Sequence, residues 1–291
     1  MAIWNLGSIN ADMVYSVPRL PRPGETLASD GLRYFLGGKG ANMSVATARA
    51  GARVHHIGAV GHDGKWAVDR LMEYGVDTTH IATVPEPTGH AIIAVEPGGE
   101  NSIILYPGAN HAISADALGL ALSSAQAGDI LLLQNETNRQ EDAARIGRDL
   151  GLRVCYAAAP FDAGAVRALL PWLDFLILNE VEAGQLEAAT GKRPEDLPVK
   201  QVIVTMGARG ARYIDTEKGE SRDFPAMPVT PVDTTGAGDT FTGYVLAGMD
   251  RGLPMPQAIG LASRAAALMV TRQGTADVIP DLKDVNEARF G

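Results

Sequence analysis

Asp239 follows three small residues and opens a long apolar segment, in Asp233-Thr-Thr-Gly-Ala-Gly-Asp-Thr-Phe-Thr-Gly243. Glycine at 236 and 238, with Ala237 between them, lets a phosphate approach the backbone. The first N–H groups and the dipole of a helix beginning at Asp239 favour an anion there. A carboxylate at that point is placed to serve a phosphate-accepting hydroxyl as base. The same residues also read as an Asp N-cap behind a glycine turn, and considered alone the two readings weigh equally. The pattern GxxxxGK[ST] occurs nowhere, so this is not a Walker loop.

Three further segments carry polar groups at useful spacing. Gly37-Gly38-Lys39-Gly40-Ala41-Asn42 runs into an Ala-rich segment, and Lys39 and Asn42, three apart, share a face in a first helical turn. A small polyol could pack on that backbone while both side chains bind it. Asn10 and Asp12 are two apart, so in an extended chain they point the same way and match vicinal hydroxyls. Taken by itself, the pair is better read as an Asx turn. Asn179 and Glu182 open a predicted helix after Phe-Leu-Ile-Leu, at the strand edge where open α/β sheets bind ligands. Their oxygens suit Mg²⁺ through its waters; the plainer reading is a helix cap with Glu at its third position. Thr205-Met-Gly207-Ala-Arg-Gly210 reads as a strand and tight turn, suited to a nucleotide or to a hairpin.

Holding such groups in place requires a scaffold, and the periodicity supplies one. Short apolar runs alternate with amphipathic segments, which predicts βα units around a largely parallel sheet. Strands are expected at 2–6, 53–60, 130–134, 153–157, 175–178 and 202–205. Helices are expected at 65–74, 139–150, 180–189, 239–251 and 255–271, with Gly75, Gly151 and Gly191 closing three of them in the left-handed conformation. Two stretches, 13–35 and 88–106, break the rhythm. The second alternates as a hairpin through Pro97-Gly98-Gly99, which suggests a small second sheet acting as a lid. An edge hairpin of the main sheet is the alternative. The 291 residues are expected to form one α/β domain with that lid inserted in it.

Composition excludes several classes. A net charge of −9 disfavours nucleic-acid binding. No apolar run approaches the roughly 18 residues of a membrane span, and the first residues lack a signal-peptide pattern. The single cysteine, Cys155, lies in an apparent buried strand, so a cytoplasmic location is expected. None of the six histidines makes a metal-spaced pair with Glu or Cys. There is no GxSxG elbow, and no GxGxxG follows the first strand.

In order along the chain, GSINAD, PGET, GGKGAN, GENSI with YPGAN, NEVEA, TMGARG and DTTGAGDTF resemble the PfkB, or ribokinase-like, family of sugar kinases. The GAGD core is the most specific of these motifs, and GGKGAN beside GSINAD points towards the ribokinases. The resemblance implies a three-layer α/β/α fold with a β-sheet lid. It also implies ATP-dependent transfer of the γ-phosphoryl group to a sugar hydroxymethyl, most simply that of D-ribose. Asp239 would then be the base, and the amides of Gly236, Ala237 and Gly238 the anion hole. Asn10, Asp12, Gly38, Lys39, Asn42 and Glu136 would hold the sugar. Asn179, Thr205, Gly207 and Gly210 would contact ATP, with Glu182 acting on Mg²⁺ through water. Many members also bind K⁺, and Asp233 with the carbonyls of Thr235, Arg272 and Gly274 are the matching positions.

Three departures from the family pattern bear on this. The segment between Gly191 and Gln201 is about one helix short, Val278 stands where ribokinases commonly place a serine near the monovalent ion, and Ala157-Ala-Ala-Pro160 lacks an Asn. Deoxyribose, fructose or another ketose, 2-keto-3-deoxygluconate and nucleosides are therefore kept as alternative acceptors, and a catalytically silent sugar or nucleotide sensor as an alternative class. Arg33, Arg139 and Arg167 are the candidates for a sugar-acid carboxylate. Tyr34, Phe35, Ile103, Leu105 and Tyr106 would give a thin lid more apolar surface than it can bury, and related kinases pair lids, so a homodimer is expected.

Overall fold

Each buried run in the chain places alternate side chains on opposite faces of one sheet, and that parity builds the layers. The computed structural model describes residues 1–290. In chain order the elements are β1 (Ile3–Leu6), β2 (Asn10–Ser16), β3 (Gly31–Gly37), α1 (Lys39–Arg49), β4 (Val54–Val60), α2 (Lys65–Glu73), β5 (Asp77–Thr83), β6 (Gly89–Val95) and β7 (Asn101–Tyr106). There follow α3 (Ala115–Leu122), β8 (Ile130–Leu133), α4 (Gln140–Asp149), β9 (Arg153–Ala157), α5 (Ala163–Leu169), β10 (Phe175–Asn179) and α6 (Glu180–Thr190). The chain ends with β11 (Gln201–Thr205), β12 (Ala211–Asp215), β13 (Glu220–Phe224), α7 (Ala237–Asp250), α8 (Met255–Met269) and α9 (Leu282–Glu287).

Nine strands form the main sheet in the order β13-β12-β11-β10-β9-β8-β1-β4-β5. The seven from β11 to β5 are parallel, while β12 and β13 extend one edge as antiparallel strands. Ile130, Leu132, Phe175, Ile177 and Ile203 face one apolar core, shared with Val45, Leu71, Phe241, Ile259 and Val285 of α1, α2, α7, α8 and α9. Leu131, Leu133, Leu176, Leu178, Val202 and Val204 face the other, with Leu118, Ala143, Val166 and Leu186 of α3 to α6. This is the largely parallel sheet that the alternation predicts, in the three-layer α/β/α arrangement that the resemblance implies.

The interrupting segments form a separate four-stranded sheet, ordered β3-β2-β6-β7. Its hairpin turns where expected, with the Gly99 amide donating to the Glu96 carbonyl and Gly99 at φ 85°. The edge-hairpin alternative is thereby set aside. Gly75, Gly151 and Gly191 adopt φ of 87°, 75° and 71° at helix ends, as predicted. The start of α7 is corrected. The helix begins at Ala237 rather than Asp239, because the Thr240 amide donates to the Gly236 carbonyl and Gly236, at φ 77°, becomes the N-cap. Asp239 is thus the third helical residue and not a cap. Sequence rhythm also passes over β5, α3, α5 and α9, which are short or only partly amphipathic.

Candidate active site

The C-terminal ends of β1 and β8 and the first turns of α1 and α7 converge on one cleft. Two glycines permit the approach of α1: a Cβ on Gly40 would lie 2.3 Å from the Gly7 Cα, so backbone packs on backbone there. Gly38, at φ 92°, turns β3 into α1 and sets Lys39 and Asn42 on its first turn. The Ser8 carbonyl accepts from the Ala41 amide at 2.8 Å, and the Ser8 hydroxyl accepts from the Gly40 amide at 3.2 Å. That hydroxyl also donates to Glu136, which accepts from the Lys39 amide at 2.9 Å. Helix α1 is therefore fixed to the ends of β1 and β8 before any side chain reaches a ligand.

Asp239 and Asn42 lie 197 positions apart in the chain and meet in this cleft. The Asn42 Nδ2 donates to Asp239 Oδ2 at 2.9 Å. Asp239 is only 7% exposed, and burial pushes its carboxyl above the ordinary range, opposed by the Lys39 ammonium and the Asn42 bond. Lys39 is raised chiefly by the Asp239 charge, with smaller contributions from Glu136 and Glu182. One ammonium thus faces three carboxylates. The Asn42 Oδ1 is buried with no hydrogen-bond partner within the protein. Beside Asp239, a Cβ on Gly238 would meet nothing within 4 Å, so the backbone there is open to a bulky anion. The Ala237 amide is engaged by the Thr234 carbonyl at 3.2 Å, whereas the first-turn amides after it have no intrahelical acceptor by position.

Asn10 and Asp12 project from β2 at the root of the lid. Asn10 is held by Asn110, whose Nδ2 donates to Asn10 Oδ1 at 2.7 Å and whose Oδ1 accepts from the Ile9 amide at 2.9 Å. Gly37 leaves room for Asp12: a Cβ there would fall 2.1 Å from Asp12 Oδ2. Burial first, and the Glu136 charge second, raise Asp12 to about 7.

On the far side of the edge, Asn179 and Thr205 are paired neighbours in adjacent parallel strands. Asn179 and Glu182 form the reciprocal capping box: Asn179 Oδ1 accepts from the Glu182 amide at 2.9 Å, and Glu182 Oε2 accepts from the Asn179 amide at 2.8 Å. Glu182 is raised by burial, and the charges of Lys39 and Asp239 both reach it, so it faces the same cleft while it caps its helix. Gly207 and Gly210, at φ 55° and 100°, make the hairpin from β11 to β12, and a Cβ on Gly207 would point into open space. Asp233 gathers its loop, Oδ1 accepting from the Thr235 amide at 2.9 Å and Oδ2 from the Gly274 amide at 3.2 Å. Arg272 turns its guanidinium to the Val278 carbonyl and to Asp284.

Two contributors escape a reading by spacing. Ser8 and Asn110 lie inside GSINAD and YPGAN, but nothing local shows that one hydroxyl reaches Glu136 or that one amide braces Asn10. Arg33 lies on the exposed part of β3, while Arg167 reaches the Ala189 carbonyl and Arg139 pairs with Asp142.

Comparison with known proteins agrees with this geometry. The pfkB family carbohydrate kinase model matches residues 3–282. A ribokinase of Haemophilus influenzae is 38% identical over 297 residues, covering 97% of this chain and 96% of that protein. A deoxyribokinase of Salmonella typhi is 30% identical over 310 residues, covering 99% and 98%. The solved structure of Arabidopsis thaliana ribokinase complexed with ribose and ATP superposes with a TM-score of 0.86 at 31% identity, covering 99% of this chain and 98% of that one.

Proposed function

This chain belongs to the pfkB family of carbohydrate kinases, and from that premise we propose that it phosphorylates the 5-hydroxyl of D-ribose. It is an ATP-dependent sugar kinase. The observation that carries the reading is the buried Asp239 carboxylate, held by Asn42 and opposed by Lys39, at the mouth of α7. The sugar sits between Asn10 and Asp12 on one side and Gly38, Lys39, Asn42 and Glu136 on the other. Its hydroxymethyl oxygen reaches Asp239. As that oxygen forms its bond to the γ-phosphorus, its proton passes to Asp239 and the bond to the β-phosphate oxygen breaks, releasing ADP. The amides of Gly236 and Gly238 at the start of α7 take up the charge on the transferring group, whereas the Ala237 amide of the expected anion hole is held by the Thr234 carbonyl. Asn179, Thr205, Gly207 and Gly210 border the nucleotide.

Asp12, Glu136, Asp239 and Glu182 against Lys39 give the cleft an excess of negative charge, so a bare triphosphate is repelled. Among the described residues no three His, Cys, Asp or Glu side chains cluster as a direct metal site. Glu182, with one oxygen in the capping box, suits contact with Mg²⁺ on the nucleotide through water. The ion would neutralise phosphate charge. K⁺ would be held by Asp233 and the carbonyls of Thr235, Arg272 and Gly274; Asp233 ties Thr235 and Gly274 together through their amides, and the apolar Val278 side chain lies beside Gly274. We read K⁺ as dispensable. Among the described residues no helix is long and apolar enough to cross a membrane, and the buried free Cys155 fits a reducing cytoplasm. Tyr34, Ile103, Ile104, Leu105 and Tyr106 of the lid are exposed, which supports a homodimer formed through the lids.

Deoxyribose is the second reading, favoured by the similarity to the Salmonella typhi deoxyribokinase. ADP release is measured with Mg-ATP against D-ribose, deoxyribose, fructose, 2-keto-3-deoxygluconate and adenosine, with and without K⁺. Turnover led by ribose is expected. A preference for another acceptor would replace the substrate and keep the mechanism; sugar binding without turnover would favour a sensor.

A further inference from the structure

Thr275 is 8% exposed, and its hydroxyl donates to the Leu36 carbonyl at 3.0 Å, across 239 positions of sequence. Leu36 stands at the root of the lid. Its successor Gly37 packs against the Asp12 carboxylate, and Gly38 after it caps the helix that carries Lys39 and Asn42. The residue before Thr275 makes the opposite connection. The Gly274 amide donates to Asp233 Oδ2, and Asp233 Oδ1 takes the Thr235 amide, one position before the Gly236 that caps α7. Two consecutive residues therefore bind the strand that borders the sugar and the loop that leads into the phosphate-facing helix.

We propose that Thr275 is a positioning residue that couples occupancy of the sugar site to affinity for the nucleotide. This rests on the sugar-kinase reading above. A sugar that draws Asp12 and the lid root inward carries Leu36 with it. The hydroxyl passes that shift to Gly274, and through Asp233 to the start of α7. Reciprocity requires the same factor whichever ligand is added first.

The experiment is calorimetric titration of the full chain with Mg²⁺ and the non-hydrolysable analogue AMP-PNP, with and without saturating D-ribose. Wild type is compared with Thr275→Val, which removes the hydroxyl at nearly constant volume, and Thr275→Ser, which keeps it. Ribose is expected to tighten AMP-PNP binding by about tenfold in wild type and Thr275→Ser. In Thr275→Val the gain should fall to about twofold or less, with ribose affinity in the absence of nucleotide near wild type. A role confined to filling the core would lower the melting temperature and leave the ratio unchanged. Should the valine variant fail to fold, Thr275→Ala against Thr275→Ser isolates the same hydroxyl. Equal coupling in the variants with and without the hydroxyl, or no coupling in wild type, overturns the proposal. Absence of ribose turnover and binding in wild type would instead overturn the substrate reading.

Discussion

In the proposed reaction Asp239 accepts a proton in a setting that penalises its charge. Burial raises its pKa, which strengthens it as a base, and Lys39 keeps the ionised form accessible. Asp239→Asn retains an oxygen to accept from Asn42 but removes the base. Its kcat should fall by about 10² to 10⁴, while calorimetry finds ribose affinity little changed; residual turnover within tenfold of wild type would remove Asp239 as an essential base. Asp12 gives the site a pH dependence of its own. Raised to about 7, it loses its carboxylate as pH falls from 8 to 6, so the sugar KM should rise over that interval, and Asp12→Asn should flatten the profile. The stability effect has the opposite direction. A carboxyl with a raised folded-state pKa holds a proton that the unfolded chain releases, so its contribution is full below about 4 and is lost as pH rises through about 7. Relative to wild type, apo Asp12→Asn should therefore gain urea midpoint at pH 8, less at pH 5, and nothing below about pH 4.

At the scale of elements, the site depends on how closely α1 and α7 cross. A Cβ on Gly243 would sit 2.5 Å from the Ala46 Cβ and 2.8 Å from the Met43 carbonyl oxygen, so glycine sets the interhelical distance that lets Asn42 reach Asp239. Gly243→Val should cost about 1–3 kcal/mol of stability through overpacking, and it should lower kcat as the helices part; urea titration and steady-state rates check both. Beneath α1 lies a buried polar chain. Asn5 Nδ2 donates to the Gly40 carbonyl and to Ser44 Oγ, and Ser44 Oγ meets His56 Nδ1 at 2.8 Å. The His56 Nε2 donates to the Gly7 carbonyl, which fixes the tautomer, and full burial lowers its pKa to about 4, so the ring is neutral at physiological pH. Strand and helix are thus locked by hydrogen bonds where their backbones touch.

For the whole molecule, the lid carries the exposed apolar surface that the proposed homodimer would cover. All six residues of β7 are exposed, and Ile104 is 66% exposed on an open edge strand. Pairing with a second lid would cover that edge and its apolar face. Ile104→Lys should weaken the dimer at least about tenfold, equivalent to about 1.4 kcal/mol, and should raise the sugar KM because the lid root carries Asn10 and Asp12. Light scattering across a dilution series reads the first effect. A wild-type mass that stays monomeric at all concentrations would refute the dimer.

Much of this protein was determined by its sequence alone. The alternation of apolar runs with amphipathic segments marked the strands and helices of the main layers, glycines marked helix ends, and the i,i+3 pair Asn179 and Glu182 matched a cap. Those features are local, since spacing reports a shared face or a turn within a few residues. The starting residue of α7 was less legible because Gly-Ala-Gly-Asp can enter a helix at more than one position, and only the Thr240 to Gly236 bond chose. Tertiary structure alone decided the rest. Asn42 finds Asp239, Ser8 finds Glu136, Asn110 finds Asn10 and Thr275 finds Leu36 across roughly a hundred residues or more. No spacing rule links such partners, because packing two helices and a lid onto one sheet edge is what sets the distance between them.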